Sequence, residues 1–554
     1  TVVAKVTNVG KVYPGKEVVE VYFSAPQEGL DKPYQELAAF GKTETLAPGQ
    51  CQTLTISFQT TEMSSYNEDL AAYVMDGGDY IIRVGNSSRN TQVGAVVNLP
   101  ATTITEQLST QLDDDRNDDE WTSDPANFYS YEGEAEEIEA AAKLTLDTTG
   151  FVAPNNASQY AQDVPVDEAN YYYSIDRDLI STVTTYLKEG VADWEGTGEA
   201  YVLKTGEVVE DVDTDPANTR YDVYDGAIAT EELVAGLTVA QLARIVEGGN
   251  RRSFSNLRAQ GAAGYTTAES DDPGIAGMIL ADGPAGVPPT HAYNSGGTPY
   301  YQFCTAWPIG TMLAQTWNME LVEEVGKAIG EEMYEYGVTL WLAPSLNIHR
   351  DPLCGRNFEY YSEDPFLAGM ITIATTEGVQ AAPGVGVTLK HYASNNQEVD
   401  RSSENNTINE RTYREIYLKG FEMAVKATQP MAVMSSYNKT SGTYTAGDYD
   451  HQFDILRGEW GFRGLVMTDW GGVRAGIVNC MYAGNDLIEP GGAVNDVLNA
   501  TLPTEPTIDV SGLPRYIWQS YGSDGRTSIT YSWSLGKLVL DPIAGLAAST
   551  TLDE

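Results

Sequence analysis

The chain has 554 residues, more than a single hydrophobic core ordinarily organises, so its length predicts two or three domains. It carries 79 acidic against 33 basic side chains, a net charge of −46, which argues against nucleic acid as a partner because nucleic-acid binding needs a basic surface. No run of about 18 apolar residues occurs, so no membrane-spanning helix is predicted.

The first 98 residues have the pattern of an all-β domain. Gly, Pro and Asn separate short segments in which apolar and polar residues alternate: "TVVAKVTNVG", "KEVVEVYFSAP", "CQTLTISFQT" and "DYIIRVGNSS". Short strands at regular spacing predict a β-sandwich over 1–98. Because the chain begins inside a strand pattern, we expect a first strand of this sandwich to precede Thr1.

Residues 99–227 are polar and acidic. The run "DDDRNDDE" (113–120) is typical of a solvated linker, and "EGEAEEIEAAAK" (132–143) predicts an exposed helix. No period is visible over 144–227, which we expect to wrap around a neighbouring domain. Residues 501–554 form a further C-terminal extension without an assigned structure.

Strand and helix patterns alternate from residue 228 to residue 500. The helical stretch "ELVEEVGKAIGEEMYEYG", for example, places Leu321, Val325 and Ile329 on one face. Such alternation implies a parallel sheet, and a span of this length is typical of one (β/α)8 barrel of the TIM type. The predicted fold is therefore multidomain, an N-terminal β-sandwich followed by an α/β barrel over 228–500.

Polar residues stand where the apolar runs of this barrel end. Five of them end four different runs: Asp282, Lys390, His391, Tyr437 and Asp469. In a (β/α)8 barrel the active site lies at the carboxyl ends of the strands, so we expect these side chains to converge.

The residue types at this mouth favour sugar chemistry. The chain has no HExxH motif, no GxSxG elbow, no phosphate-binding glycine loop after the first barrel strand and no CxxC pair, so no metal or organic cofactor is expected. Carboxylates, hydrogen-bond donors and aromatic rings suit a neutral polyol. Asp469 is a candidate nucleophile, which in a retaining glycosidase works with a second carboxyl about 5–5.5 Å away.

Each candidate residue also has an ordinary structural interpretation. These alternatives are a helix N-cap for Asp469, a rim ion pair for Lys390, a structural role for His391, a loop salt bridge between Arg356 and Glu359, and core packing for Trp470. The residue pattern alone leaves both interpretations open.

Six segments share the motifs of one enzyme family, in the family's order: "LADGPAGV" (280–287), "LAPSLNIHRDPLCGRNFEYYSEDP" (342–365), "VGVTLKHYASNNQE" (385–398), "VMSSYN" (433–438), "GLVMTDWGG" (464–472) and "AGNDLIEPGG" (483–492). Through these residues the chain resembles glycoside hydrolase family 3, the β-glucosidase-like enzymes. The N-terminal sandwich is similar to the fibronectin type III-like domain that accompanies this family.

The resemblance implies a role for each site residue. Asp469 would be the catalytic nucleophile that forms a glycosyl-enzyme intermediate, with Tyr437 beside it and Trp470 against the sugar. Asp282 would bind hydroxyls at the far side of the ring. Arg356, Lys390 and His391 would hold further hydroxyls, and their charge would favour ionised Asp469.

The domain order departs from the usual one, because the fibronectin-like domain comes before the barrel. The family's acid/base glutamate normally lies in an α/β sandwich, whose pattern neither 99–227 nor 501–554 shows. We therefore predict that a missing α/β sandwich domain or a companion chain, cleaved from a common precursor, carries the acid/base.

The resemblance implies a retaining exo-β-glucosidase acting on β-glucosides or short β-linked oligosaccharides. Two alternatives stay open: a β-xylosidase of the same family, and a carbohydrate-binding or scaffold protein with impaired catalysis. The stretch "KHYASNNQE" disfavours the N-acetylglucosaminidase branch, which has a "KHFPG"-like sequence there.

Overall fold

A computed structural model describes residues 1–112, 129–149, 151, 244–250, 263–266, 278–287, 292–295, 297–301 and 303–498. The predicted acidic run at 113–120, most of the predicted wrapping segment and the extension at 501–554 lie outside these residues.

The N-terminal part is a β-sandwich. Its strands are β1 (Val2–Thr7), β2 (Val18–Ser24), β3 (Glu36–Lys42), β4 (Cys51–Ile56), β5 (Ser65–Asn67), β6 (Ala72–Met75), β7 (Gly78–Gly85), β8 (Thr91–Leu99) and β9 (Thr103–Gln107). β1 pairs with β4, β3-β2-β7-β8 form a second sheet, and β5-β6-β9 form a third. Val21, Phe23 and Tyr80 are among the buried side chains of the sandwich core.

The sandwich continues beyond the predicted boundary at residue 98. Strand β9 pairs with β6, and after helix α1 (Glu134–Ala140) strand β10 (Ala142–Thr145) pairs in parallel with β8. Glu134 ties the helix to the sheet, because its carboxylate forms an ion pair of 2.7 Å with Arg83. The sequence analysis did not predict strands β9 and β10, because each is too short to show a clear alternation of apolar and polar residues and the region is rich in acidic residues.

The second part of the chain alternates strands with helices. Its elements are β11 (Gly249–Asn250), β12 (Gly264–Tyr265), β13 (Ile279–Ala281), β14 (Ala292–Ser295), β15 (Thr298–Tyr301), α2 (Gly310–Ala314), α3 (Met319–Tyr336), β16 (Leu340–Trp341), α4 (Pro365–Gln380), β17 (Gly386–Tyr392), β18 (Asn405–Asn406), α5 (Glu410–Thr412), α6 (Lys419–Thr428), β19 (Ala432–Ser435), β20 (Lys439–Thr440), β21 (Thr443–Tyr444), β22 (Leu465–Thr468), α7 (Ile477–Ala483) and α8 (Val494–Leu498). Tyr413–Leu418 and Asp450–Glu459 are π-helical.

The main sheet has the strand order β11-β12-β13-β16-β17-β19-β22. Within this sheet, neighbouring strands from β13 through β16, β17 and β19 to β22 are parallel. Strand β12 runs antiparallel to both of its neighbours, so the predicted all-parallel arrangement does not extend to β11 and β12. Leu487 bridges Met467 of β22, and Ile488 bridges Glu247 just before β11. These bridges connect β22 to the segment just before β11. Because the five strands β13, β16, β17, β19 and β22 are parallel, their carboxyl ends lie on one rim.

Helix α3 begins and ends where its sequence provides caps, and its buried face matches the predicted one only in part. The Asn318 side chain accepts from the backbone of Leu321, and Gly337 ends the helix in a left-handed conformation. Of the residues expected on one face, Ile329 is buried, whereas Leu321 is 39% exposed. The helix also packs through Gly326 and Gly330, where an added Cβ would lie 2.8 Å and 2.5 Å from backbone oxygens of α4.

Charged side chains join the sandwich to the second domain. Buried Glu410 accepts hydrogen bonds from the hydroxyl of Tyr66 and from the backbone of Gln111, while Arg414 bonds to Glu410 at 2.8 Å and pairs with Glu459 through both of its terminal nitrogens. The contact between the two domains therefore includes an ionic network that is removed from water.

Candidate active site

One cavity of about 430 Å³ opens at the rim where the parallel strands end. It brings together the seven residues singled out in the sequence, and the lining residues are Ala263, Asp282, Leu342, Arg356, Lys390, His391, Arg401, Met434, Tyr437, Asp469 and Trp470. Asp282 directly follows β13 and Asp469 directly follows β22, while Lys390 and His391 are near the end of β17. The shared rim, rather than proximity along the chain, creates the cluster.

Asp469 is nearly buried, with 13% of its side chain exposed, and it has a fixed orientation. The backbone N–H of Trp470 donates to Oδ1 at 2.7 Å, and the hydroxyl of Tyr437 donates to the carbonyl of Trp470 at 2.8 Å. The next helix, α7, begins eight residues later, so Asp469 is not a helix N-cap. Burial raises the pKa of Asp469 above its usual value; Lys390, the Trp470 amide and Tyr437 oppose this shift without cancelling it.

Lys390 and Asp282 form an ion pair across the cavity, with 3.0 Å between Nζ and Oδ1. The Lys390 side chain is buried, whereas 61% of the Asp282 side chain is exposed. Burial raises the pKa of Asp282, but the Lys390 ammonium outweighs it and holds that pKa below the usual range. Asp282 therefore presents an ionised hydrogen-bond acceptor to the cavity.

His391 is neutral, which differs from the charge expected of it. Burial lowers its pKa well below the ordinary value, and the neighbouring cations of Arg356, Lys390 and Arg401 lower it further. Its Nε2 lies 3.6 Å from Oδ2 of Asp469, but because the ring is uncharged this contact is not an ion pair. His391 therefore contributes no charge that would favour ionised Asp469.

Arg356 is held between two partners. Glu359 pairs with its Nε, and Glu359 in turn accepts from the hydroxyl of Ser345 at 3.1 Å. Nη1 of Arg356 lies 2.9 Å from Nε2 of His391. The loop salt bridge that the sequence suggested is thus present, and the same guanidinium also faces the cavity.

Arg401 is a lining residue that the sequence analysis missed. It pairs with Glu398 at 2.9 Å, and its guanidinium carbon lies 4.7 Å from the centroid of the Tyr437 ring. The available signal was a basic residue in the polar loop "NNQEVDR" that follows β17. That signal is weak, because charged residues are common in exposed loops.

The lining suits hydrogen bonding to an uncharged, hydroxyl-rich molecule. Among the described lining residues the carboxylates are Asp282 and Asp469, accompanied by the cations Arg356, Lys390 and Arg401 and the rings of Tyr437 and Trp470. Within the described ranges, no group of three or more Asp, Glu, His or Cys side chains is arranged to hold a metal ion. The described helices also include none that is long and apolar enough to cross a membrane.

The described residues thus combine a β-sandwich with an α/β domain whose polar, carboxylate-bearing cavity lies at its strand ends. Comparison with family models identifies the parts: residues 278–487 match the glycosyl hydrolase family 3 N-terminal domain, and residues 17–88 match a fibronectin type III-like domain. Residues 278–487 therefore form a domain of glycosyl hydrolase family 3, which confirms the resemblance found in the sequence.

Similar proteins cover most of this chain. Beta-glucosidase A of Butyrivibrio fibrisolvens is 34% identical over 500 residues, 89% of this chain and 54% of the relative. A beta-glucosidase of Ruminococcus albus is 32% identical over 85% of this chain and 43% of its own length. The crystal structure of a beta-glucosidase from Paenibacillus barengoltzii has a TM-score of 0.65 and 32% identity, covering 88% of this chain and 48% of that one. The chain thus spans about half the length of the relatives it matches.

Proposed function

We propose that this protein is a retaining, exo-acting β-glucosidase whose nucleophile is Asp469, on a domain of the (β/α)8 type. The observation that carries the proposal is the position of Asp469 directly after β22, in the same cavity as Asp282, Lys390 and Arg356. The printed names of the relatives, which are beta-glucosidases, support glucose as the sugar.

The proposed reaction divides the work among the lining residues. A carboxylate oxygen of Asp469 attacks the anomeric carbon and forms a glycosyl ester as the aglycone oxygen leaves with a proton. Water then cleaves this ester with net retention of configuration. The amide of Trp470 orients the carboxylate, while Asp282 and Lys390 bind hydroxyls on the opposite side of the ring.

The size of the cavity favours action at chain ends. Its volume of about 430 Å³ lies towards the small end of the range of ligand pockets, roughly 300–1,000 Å³. A pocket of this size holds the terminal part of an oligosaccharide rather than an extended polymer. The indole of Trp470 and the ring of Tyr437 offer aromatic surface to the apolar face of a sugar.

The choice between glucose and xylose is testable with two matched substrates. We expect kcat/KM to be higher for an aryl β-D-glucoside than for the aryl β-D-xyloside with the same aglycone, by at least about 10-fold, because a pocket that hydrogen-bonds the extra hydroxymethyl group discriminates against its absence. Faster turnover of the xyloside would identify a β-xylosidase. Binding of the product sugar without turnover of either substrate would identify a catalytically impaired binding protein.

The acid/base is proposed to come from outside the described residues, from an α/β sandwich domain or a companion chain. Of the two carboxylates that line the cavity in the described part of the chain, Asp469 is assigned as the nucleophile. Asp282 is held ionised by Lys390, whereas a general acid needs a raised pKa. The length of the relatives beyond the matched region leaves room for such a domain.

A series of leaving groups tests this assignment on the 554-residue chain alone. An activated aryl β-glucoside needs little protonation and should be hydrolysed, whereas an alkyl β-glucoside should react about 10²- to 10⁴-fold more slowly than with an acid present. The initial rate should therefore fall steeply as the pKa of the leaving group rises. A flat dependence, together with an intact mass matching the 554 residues alone, would contradict the absence of an acid.

A further inference from the structure

Asn347 holds the backbone of His391 from both sides. Its Nδ2 donates to the carbonyl oxygen of His391 at 2.8 Å, and its Oδ1 accepts from the backbone N–H of His391 at 2.9 Å. A backbone N–H can only donate and a carbonyl can only accept, so these two bonds fix which end of the amide carries the oxygen. Asn347 is 2% exposed, so bulk solvent does not compete for these bonds.

The same amide oxygen determines where the imidazole of His391 carries its proton. Oδ1 of Asn347 lies 3.3 Å from Nδ1 of the ring, and an oxygen of this kind accepts only, so Nδ1 must be the protonated nitrogen. On the other side of the ring Nη1 of Arg356 lies 2.9 Å from Nε2, and a guanidinium donates only, so Nε2 must accept. Two independent partners thus require the same tautomer.

We propose that Asn347 is a positioning residue that holds His391 as the neutral Nδ1–H tautomer, so that Nε2 is a fixed acceptor for the guanidinium of Arg356 at the active-site cavity. The mechanistic consequences rest on the proposed glycosidase function, whereas the tautomer itself rests on geometry alone. The charged and titratable groups around the ring are Arg356, Lys390, Arg401, Asp469 and, edge-on at 6.4 Å, Tyr360. Three of these groups are cations and disfavour an imidazolium.

This tautomer has two consequences for the reaction. Nε2 carries no proton, so Oδ2 of Asp469, 3.6 Å away, receives no hydrogen bond from the ring. For the same reason His391 cannot protonate a leaving group from Nε2. His391 is therefore excluded as the general acid. Its function is to orient Arg356, together with Glu359.

Histidine NMR tests the tautomer directly and without any substrate. The chain has four histidines, so ¹⁵N-histidine labelling gives few signals, and the His391→Gln variant identifies those of His391. We expect the Nδ1–H pattern with no titration of His391 between pH 5 and pH 8. An Nε2–H pattern, or an imidazolium in this range, would overturn the proposal. If the tautomer is as expected but no glycoside is hydrolysed, the proposed function fails while this inference holds.

Two substitutions test the role of Asn347. In Asn347→Leu the acceptor at Nδ1 is lost, so we expect part of the ring to move to the Nε2–H tautomer and kcat/KM to fall about 10- to 100-fold. In Asn347→Asp the added negative charge should raise the pKa of His391 and shift the acid limb of the kcat/KM profile to higher pH. Unchanged ring signals in both folded variants would contradict the proposal.

A matched control separates this effect from general disturbance of the core. Asn406 is also buried, and its Nδ2 donates to the backbone oxygen of Ser394 rather than to His391. Asn406→Asp makes the same chemical change, and we expect it to leave the tautomer signals of His391 unaltered. A shift of these signals equal to that in Asn347→Asp would show that any buried charge produces it and would overturn the assignment to Asn347.

Discussion

Replacing Asp469 with alanine is expected to lower kcat/KM on an activated aryl β-glucoside by about 10⁴- to 10⁶-fold, the scale on which loss of a covalent nucleophile acts. The carboxylate lies at the end of β22, and its Oδ1 accepts a hydrogen bond from the Trp470 amide. Among the described residues that line the cavity, Asp282 is the other carboxylate. Because Asp282 is paired with Lys390, it cannot take over the attack. Initial rates at saturating and limiting substrate measure the loss.

Rescue by a small anion distinguishes a nucleophile from a structural carboxylate. Azide should enter the space vacated in Asp469→Ala, attack the anomeric carbon of the activated β-glucoside and give an α-glucosyl azide. An exposed carboxylate, Asp79 in the sandwich, offers a control, and Asp79→Ala should keep the parental rate. A folded Asp469→Ala variant with more than a tenth of the parental activity would contradict the assignment.

The site could be anticipated from sequence because it depends mainly on topology. Parallel strands end on one rim, so a polar residue directly after each apolar run is placed near the others whatever the intervening loops do. Asp282 and Asp469 are 187 positions apart, and both line the cavity because each directly follows a strand that ends on this rim. The motifs of the family then selected which of these residues to expect in the site.

The features that could not be anticipated depend on contacts between distant side chains. The charge of His391 depends on its burial and on Arg356, and its tautomer depends on Asn347, none of which a strand pattern reveals. Arg401 reaches the cavity through a loop whose path the sequence does not define.

Secondary structure was predicted better than its packing. Helix α3 was expected at its observed place, but a hydrophobic period cannot show that two glycines, Gly326 and Gly330, let the backbone of α4 approach and so choose the buried face. Strands β9 and β10 of the sandwich were missed, since segments of five and four residues depend on pairing with β6 and β8 rather than on local propensity.

Replacing Arg414 with methionine is expected to lower the free energy of unfolding by about 3–5 kcal/mol. Arg414 lies between Glu410 and Glu459, and all three side chains are at most 4% exposed, so the substitution leaves two carboxylates buried without a cation. Glu410 also accepts from Tyr66 and from the backbone of Gln111 and Leu112, which extends the network into the sandwich. Urea denaturation followed by circular dichroism measures the change.

The loss of stability in Arg414→Met should come from the unpaired carboxylates of Glu410 and Glu459 rather than from lost packing. If so, adding Glu410→Gln and Glu459→Gln to Arg414→Met should restore much of the stability, because neutral amides cost less to bury than carboxylates. The exposed helical pair Lys327–Glu323 provides the comparison, and Lys327→Met should leave the urea midpoint unchanged. Because Arg414 also donates to the backbone of Ser109, its loss should loosen the sandwich as well. A single cooperative transition with an unchanged midpoint in Arg414→Met would show that apolar contacts alone hold the two domains together.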